Sequence, residues 1–258
     1  MPRCRMLRIG AFKVFTGNLW LSAFAEYAAT MFFVFVVSGA SLRWEGTPST
    51  LQISLAAGFA MASAVQAFRW VSRPLVHANP CVSVAAFLSG DKALVPVIIY
   101  IFAQCFGAIT GAGLLYVLSP AHARGILGAT NPATGLSNLQ ALGTEAFLTF
   151  FLVITMLATL DATKYDPYAR YDASAAVGLA TATCYLIGVP LTGAGLNPAR
   201  SLGPAVFANT WNDHWVYWCG PLVGAVFAGL MYNMLLHSRS AWDKHDPPRD
   251  SDEVSLTH

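Results

Sequence analysis

Six apolar stretches, at about residues 19–42, 50–68, 94–118, 142–160, 173–191 and 215–236, dominate this sequence. Each is long enough to cross a hydrocarbon core, which takes roughly 20 helical residues. A chain with six such runs has one place to fold. Its charged fraction agrees: 11% of residues are Asp, Glu, Lys or Arg, under half of the roughly 25% usual in soluble domains. Disorder, a coiled coil and a nucleic-acid-binding surface all need more charge than this. The first apolar run is too long for a cleavable signal peptide, and no small-residue cleavage site follows it.

Two further apolar segments, 79–90 and 197–208, are too short to span. Each opens with Asn-Pro, as Asn79-Pro80-Cys81 and Asn197-Pro198-Ala199. Asn is a strong N-cap and Pro suits the first helical position, so both read as helix starts that reach only about halfway across. The basic residues orient the chain. With the N-terminus in the cytoplasm, Arg3, Arg5, Arg8, Lys13, Arg69, Arg73, Lys92, Lys164, Arg170, Arg239, Lys244 and Arg249 lie inside, against only Arg43, Arg124 and Arg200 outside or within the protein. Both termini are therefore expected in the cytoplasm. The five cysteines, Cys4, Cys81, Cys105, Cys184 and Cys219, have no metal-site spacing and read as buried thiols.

The chain repeats. Glu26-Tyr-Ala-Ala-Thr30 returns 119 residues on as Glu145-Ala-Phe-Leu-Thr149, Asn79-Pro80 returns after 118 as Asn197-Pro198, and Gly107-Ala-Ile returns after 117 as Gly224-Ala-Val. Each half holds three spans and one half-helix. Because three is odd, the halves enter the membrane from opposite sides, and inverted repeats with broken helices put a solute path between them. The expected organisation is a cytoplasmic segment 1–18, a first repeat 19–118, a connecting loop 119–141, a second repeat 142–236 and a polar cytoplasmic tail 237–258. Asn131-Pro132-Ala133 has no partner at the repeat offset and no apolar half-helix after it, so it reads as a loop turn.

Paired Asn-Pro-Ala-type motifs, with Glu-x-x-x-Thr in spans one and four, resemble the aquaporin family. Gly-Ala-Gly-Leu-Asn-Pro-Ala-Arg-Ser (193–201) and His-Trp-Val-Tyr-Trp (214–218) are similar to its animal water-channel members. The resemblance covers about residues 18–236 and implies an all-α membrane protein of six transmembrane helices and two re-entrant half-helices, assembled as a homotetramer in the plasma membrane. It implies that Asn79 and Asn197 donate to a central water while the half-helix N-termini exclude cations. It assigns Glu26 and Glu145 to bracing the re-entrant loops, with His77 at the family's loop histidine position. It puts the outer constriction on Ala57, Tyr185, Ala194 and Arg200.

The sequence departs from the usual water-channel pattern, which has Phe at the Ala57 position and His at the Tyr185 position. Cys81 also replaces the first motif's Ala. Other markers favour water: glycerol-conducting relatives usually carry Asp directly after the Arg and a Pro-Leu-type pair further on, where this chain has Ser201, Ala205, Tyr217 and Trp218. The expectation is a passive water channel that excludes protons and ions. The alternatives are a broader channel that also passes glycerol or urea, and a structural membrane-junction protein. No nucleotide motif or metal-ligand cluster points to an enzyme or pump, and no cofactor or metal is expected. The expected partners are water, small neutral solutes, the lipid bilayer and further copies of the chain, with no nucleic acid.

Overall fold

Backbone N–H and C=O groups find no water in hydrocarbon, so an apolar run there must satisfy them internally as helix. The computed structural model describes residues 17–44, 46–72, 75–165 and 169–242. Cys4, Arg3, Arg5, Arg8, Lys13, Arg73, Lys244, Arg249 and most of the terminal segments 1–18 and 237–258 lie outside them. Each expected apolar run is a helix: α1 (Gly17–Ala40), α2 (Thr50–Phe68), α3 (Pro80–Leu88), α4 (Leu94–Leu118), α6 (Asn138–Tyr165), α7 (Ala169–Thr192), α8 (Pro198–Ala208) and α9 (Val216–Trp242). No strand occurs among the described residues. Helices α1, α2, α4, α6 and α7 are long and apolar enough to cross a membrane. Helix α9, 27 residues long, lies along α6 as α4 lies along α1 and is the sixth span.

The packing repeats between the halves. Helix α1 lies along α4 and α2, as α6 lies along α9 and α7. Helix α8 of the second half packs on α4 of the first, and α3 of the first half packs on α9 of the second. Helices α2 and α7 cross each other between the halves, and α3 meets α8. These reciprocal contacts are what two inverted repeats around a pseudo-twofold axis produce. Exposed tryptophans stand near helix ends, Trp20 at the start of α1, Trp44 after it, Trp70 after α2, and Trp211 and Trp215 before α9. Indole rings favour the two membrane–water interfaces.

Small residues set the close crossings, as in other membrane bundles. A Cβ on Gly107 would meet the Tyr27 carbonyl, and one on its repeat-mate Gly224 would meet the Ala146 carbonyl. Both obstacles are backbone, which cannot swing aside. Gly224→Ala is therefore expected to cost about 1–3 kcal/mol through overpacking, read as a lowered thermal midpoint in detergent. Gly143→Ala, where a Cβ meets nothing within 4 Å, is the control. Its midpoint should hold or rise, since alanine suits a helix better than glycine.

One expectation, on the thiols, is corrected. The connection 119–141 contains a short helix α5 (Ala121–Arg124) followed by turns at Gly125, Leu127 and Gly128, all with positive φ. Asn131-Pro132-Ala133 remains non-helical, and the Ala133 N–H donates to Leu191 O at 2.8 Å, tying the connection to the end of α7. The thiols are not uniformly buried. Cys81 and Cys184 are, Cys105 is half-buried, and Cys219 is exposed on α9.

Candidate functional site

Before each half-helix the chain leaves regular secondary structure, at 75–78 and 193–196. Neither stretch can satisfy its own N–H groups, and each contains a non-glycine residue at positive φ. Ala78 lies at 50° and its repeat-mate Leu196 at 54°, with Ala194 at 52°. Such conformations cost about 1–3 kcal/mol each unless their surroundings hold them. Two buried carboxylates do the holding. Glu26 Oε1 accepts from His77 N at 2.8 Å and Oε2 from Ala78 N at 2.7 Å. Glu145 Oε1 accepts from Gly195 N at 2.9 Å and Oε2 from Leu196 N at 2.6 Å. Side chains saturate the remaining lone pairs: Ser72 Oγ and Gln104 Nε2 donate to Glu26, and Thr192 Oγ1 donates to Glu145 at 2.6 Å.

The carbonyls of the strained residues then accept across the pseudo-twofold. Asn79 Nδ2 donates to Leu196 O at 2.9 Å, and Asn197 Nδ2 donates to Ala78 O at 2.8 Å. Each Asn Oδ1 meanwhile caps its own half-helix. That of Asn79 accepts from Cys81 N at 2.9 Å, that of Asn197 from Ala199 N at 3.0 Å and Arg200 N at 3.3 Å. Pro80 and Pro198 stand at the first helical positions, and the Cys81 and Ala199 side chains are buried beside them. Each amide has two N–H groups and spends one on the opposite loop. Its second N–H keeps a fixed direction, because both other atoms of the amide are tied.

His77 is buried, its Nδ1 3.0 Å from Ser83 Oγ and its ring edge-on to Tyr100 at 5.6 Å between centroids. Its Nε2 has no hydrogen-bond partner among the described residues.

Nearer the other end, Ala57, Tyr185, Ala194 and Arg200 are all buried. The first three belong to one continuous apolar cluster. The Tyr185 ring stands edge-on to Phe33, 6.4 Å between centroids and 81° between planes, which fixes its tilt. Arg200 Nη1 donates to Gly128 O at 2.8 Å. Among the described residues, the Tyr185 hydroxyl and Arg200 Nε, both buried, have no partner at hydrogen-bonding geometry. Two polar groups thus stand unsatisfied beside the apolar cluster that holds Ala57, Tyr185 and Ala194.

Sequence reading missed several of these parts. Gln104 carried a signal, as an amide inside an otherwise apolar span. Thr192 carried none: its hydroxyl reaches Glu145 while its carbonyl accepts from Tyr217 Oη at 2.7 Å. Gly128 acts through a backbone oxygen, and Phe33 looks like any core ring.

Outside Arg200 the connection 119–141 folds back and closes one wall of a 360 Å³ cavity, lined among others by Arg43, Arg124, Gly128, Asn131 and Arg200.

The chain matches the family described as major intrinsic protein over residues 13–232. It is 40% identical over 225 residues to the lens fiber major intrinsic protein of Oryctolagus cuniculus, covering 87% of this chain and 84% of that relative. It is 39% identical over 228 residues to aquaporin-4 of Mus musculus, covering 86% of this chain and 69% of that relative. The fold is similar to the X-ray structure of the aquaglyceroporin from Plasmodium falciparum. The TM-score is 0.71 at 22% identity, covering 85% of this chain and 96% of that one.

Proposed function

Because the chain belongs to the major intrinsic protein family, whose members are membrane channels, we propose that it is a passive water channel that excludes protons and ions. The observation that carries this reading is the pair of unpartnered buried groups, the Tyr185 hydroxyl and Arg200 Nε. Together they offer a passing water two hydrogen bonds. A three-carbon polyol stripped of its hydration has more hydroxyls than they can serve, and each one left unpaired costs about 1–3 kcal/mol. Ala57, Tyr185, Ala194 and Arg200 are the selectivity residues in this reading. The second N–H of Asn79 and of Asn197 faces the water file, and the two half-helix N-termini repel cations. Glu26, Glu145 and His77 brace the loops rather than carry protons. The homotetramer, the cytoplasmic termini, the plasma membrane and the division at 118 and 142 belong to the same proposal.

One observation favours a broader channel for neutral solutes such as glycerol or urea. Ala57 offers only a methyl where a larger apolar side chain would narrow the path. Tyr185, held by Phe33, refills that space in the present reading.

The test is water and glycerol flux measured side by side in proteoliposomes. The unaltered protein should pass water and little glycerol. Tyr185→Ala should raise glycerol flux about tenfold, a gain of about 1.4 kcal/mol, because removing the ring widens the constriction by more than the lost hydroxyl costs. Ala57→Phe should change water flux less than about twofold, within the few tenths of a kcal/mol that such a ratio represents. Glycerol moving through the unaltered protein as readily as water would replace this reading with the broader one.

A further inference from the structure

We infer that the outer mouth is a binding site for an inorganic oxyanion of the sulfate or phosphate type, which caps the water path when it is occupied. The inhibition, though not the binding, rests on the channel reading above. Of the three basic residues that orientation puts outside or within the protein, all three line the same 360 Å³ cavity, and no carboxylate lines it among the described residues. Their convergence is built by the fold. The Arg43 N–H donates to Ala123 O at 3.0 Å, which ties the α1–α2 connection to α5. Helix α5 carries Arg124, and the turn that follows it delivers the Gly128 carbonyl to Arg200.

The three guanidinium groups are held to different degrees, in a way that suits a ligand. Arg124 is fixed: Nε and Nη2 both donate to Ser119 O, at 3.0 and 2.8 Å, and its guanidinium carbon lies 4.1 Å from the Tyr116 ring centre. Its Nη1 is left over. Arg200, at the floor, is 2% exposed and anchored by Nη1, with Nε unsatisfied. Arg43, at the rim, is exposed, and its side chain makes no hydrogen bond or ion pair with the described residues. A fixed wall, a buried floor with a spare donor and a free arm at the rim form a cradle. Guanidinium forks match oxyanion geometry, and charged hydrogen bonds of this kind are stronger than neutral ones. Ser41, Thr47, Thr50 and Asn131 line the same space and supply neutral polar groups for the remaining oxygens. An anion seated there lies over Arg200 and blocks the approach of water to it.

Sulfate is the probe, against chloride at matched osmolarity and ionic strength, in vesicles of phosphatidylcholine alone so that no anionic headgroup competes. Osmotic shrinkage of proteoliposomes with the anion on both sides should slow saturably with sulfate. Titration calorimetry of the detergent-solubilised protein should show saturable sulfate binding. Arg43→Ala should raise the half-effective sulfate concentration about threefold and Arg43→Glu about tenfold or more, as expected for losing or reversing one screened charge. Both variants should leave water flux in chloride unchanged, because the Arg43 side chain holds none of the described residues in place. Absence of saturable sulfate binding overturns the site. So does equal sulfate sensitivity in Arg43→Glu and the unaltered chain. A protein that conducts no water in chloride overturns the channel reading instead, and the calorimetry still decides the site.

Discussion

Asn197→Asp is expected to convert a path that rejects cations into one that conducts them. The substitution spares the fold. An aspartate Oδ1 caps Ala199 N and Arg200 N as well as the asparagine oxygen does, since Asn and Asp are about equally good N-caps. What changes is the other atom. Asn197 Nδ2 donates to Ala78 O, and a carboxylate oxygen has no hydrogen to give, so that link across the pseudo-twofold is lost. A full negative charge now stands where two half-helix N-termini, each worth roughly half a positive charge, face each other. At about 4 Å and an effective dielectric near 20, that charge stabilises a passing cation by about 4 kcal/mol. This is close to a thousandfold at about 1.4 kcal/mol per decade. Planar-bilayer currents at alkaline pH, with water flux measured in parallel, make the check. A variant that conducts water at alkaline pH with no cation or proton current would show that the central charge balance is not what excludes ions.

The parts of the molecule legible in the sequence are those where one physical constraint acts on neighbouring residues. Hydrocarbon thickness sets the length of an apolar run, so the spans could be counted. Asn-Pro fixes a helix start through a cap and a pre-set φ, and both half-helices begin at the expected residue. Helix ends beyond the apolar slab were not legible. Helix α6 starts at Asn138 and runs to Tyr165, turns that lie outside the run 142–160. A polar turn reads as a boundary in hydropathy, yet hydrogen-bonds as helix all the same. The role of the connection 119–141 was not legible for a related reason. Its work is done by the Gly128 carbonyl and by positive-φ turns, and backbone groups leave no side-chain signature. Of the candidate site, the two carboxylates and two asparagines were visible because polar residues in apolar runs stand out. Thr192, Phe33 and Ser72 were not, because each is an ordinary residue until a particular neighbour faces it. Cys219 was misread because membership of an apolar run says nothing about which face of the helix a side chain takes.

The brace at Glu26 should be the most costly single side chain to remove. Its two oxygens take four donors, from His77 N, Ala78 N, Ser72 Oγ and Gln104 Nε2, whereas Glu145 takes three. All are buried, and leaving one buried donor unpaired costs about 1–3 kcal/mol. Four such losses rival the whole net stability of a typical protein, about 5–15 kcal/mol. Glu26→Ala should therefore yield little folded protein, and Glu145→Ala somewhat more. Glu26→Gln separates bracing from proton carriage, because the amide cannot ionise yet keeps one acceptor oxygen. If Glu26 braces, the amide's N–H₂ end confronts two of the four donors, and the variant melts lower and conducts water poorly. The defect should also ease when Gln104 is shortened to Ala, which removes one confronting donor. If Glu26 served only to carry protons, Glu26→Gln would keep both the melting point and the water flux of the unaltered chain. Melting in detergent and shrinkage of proteoliposomes, taken on Glu26→Gln with and without Gln104→Ala, give these two accounts opposite outcomes.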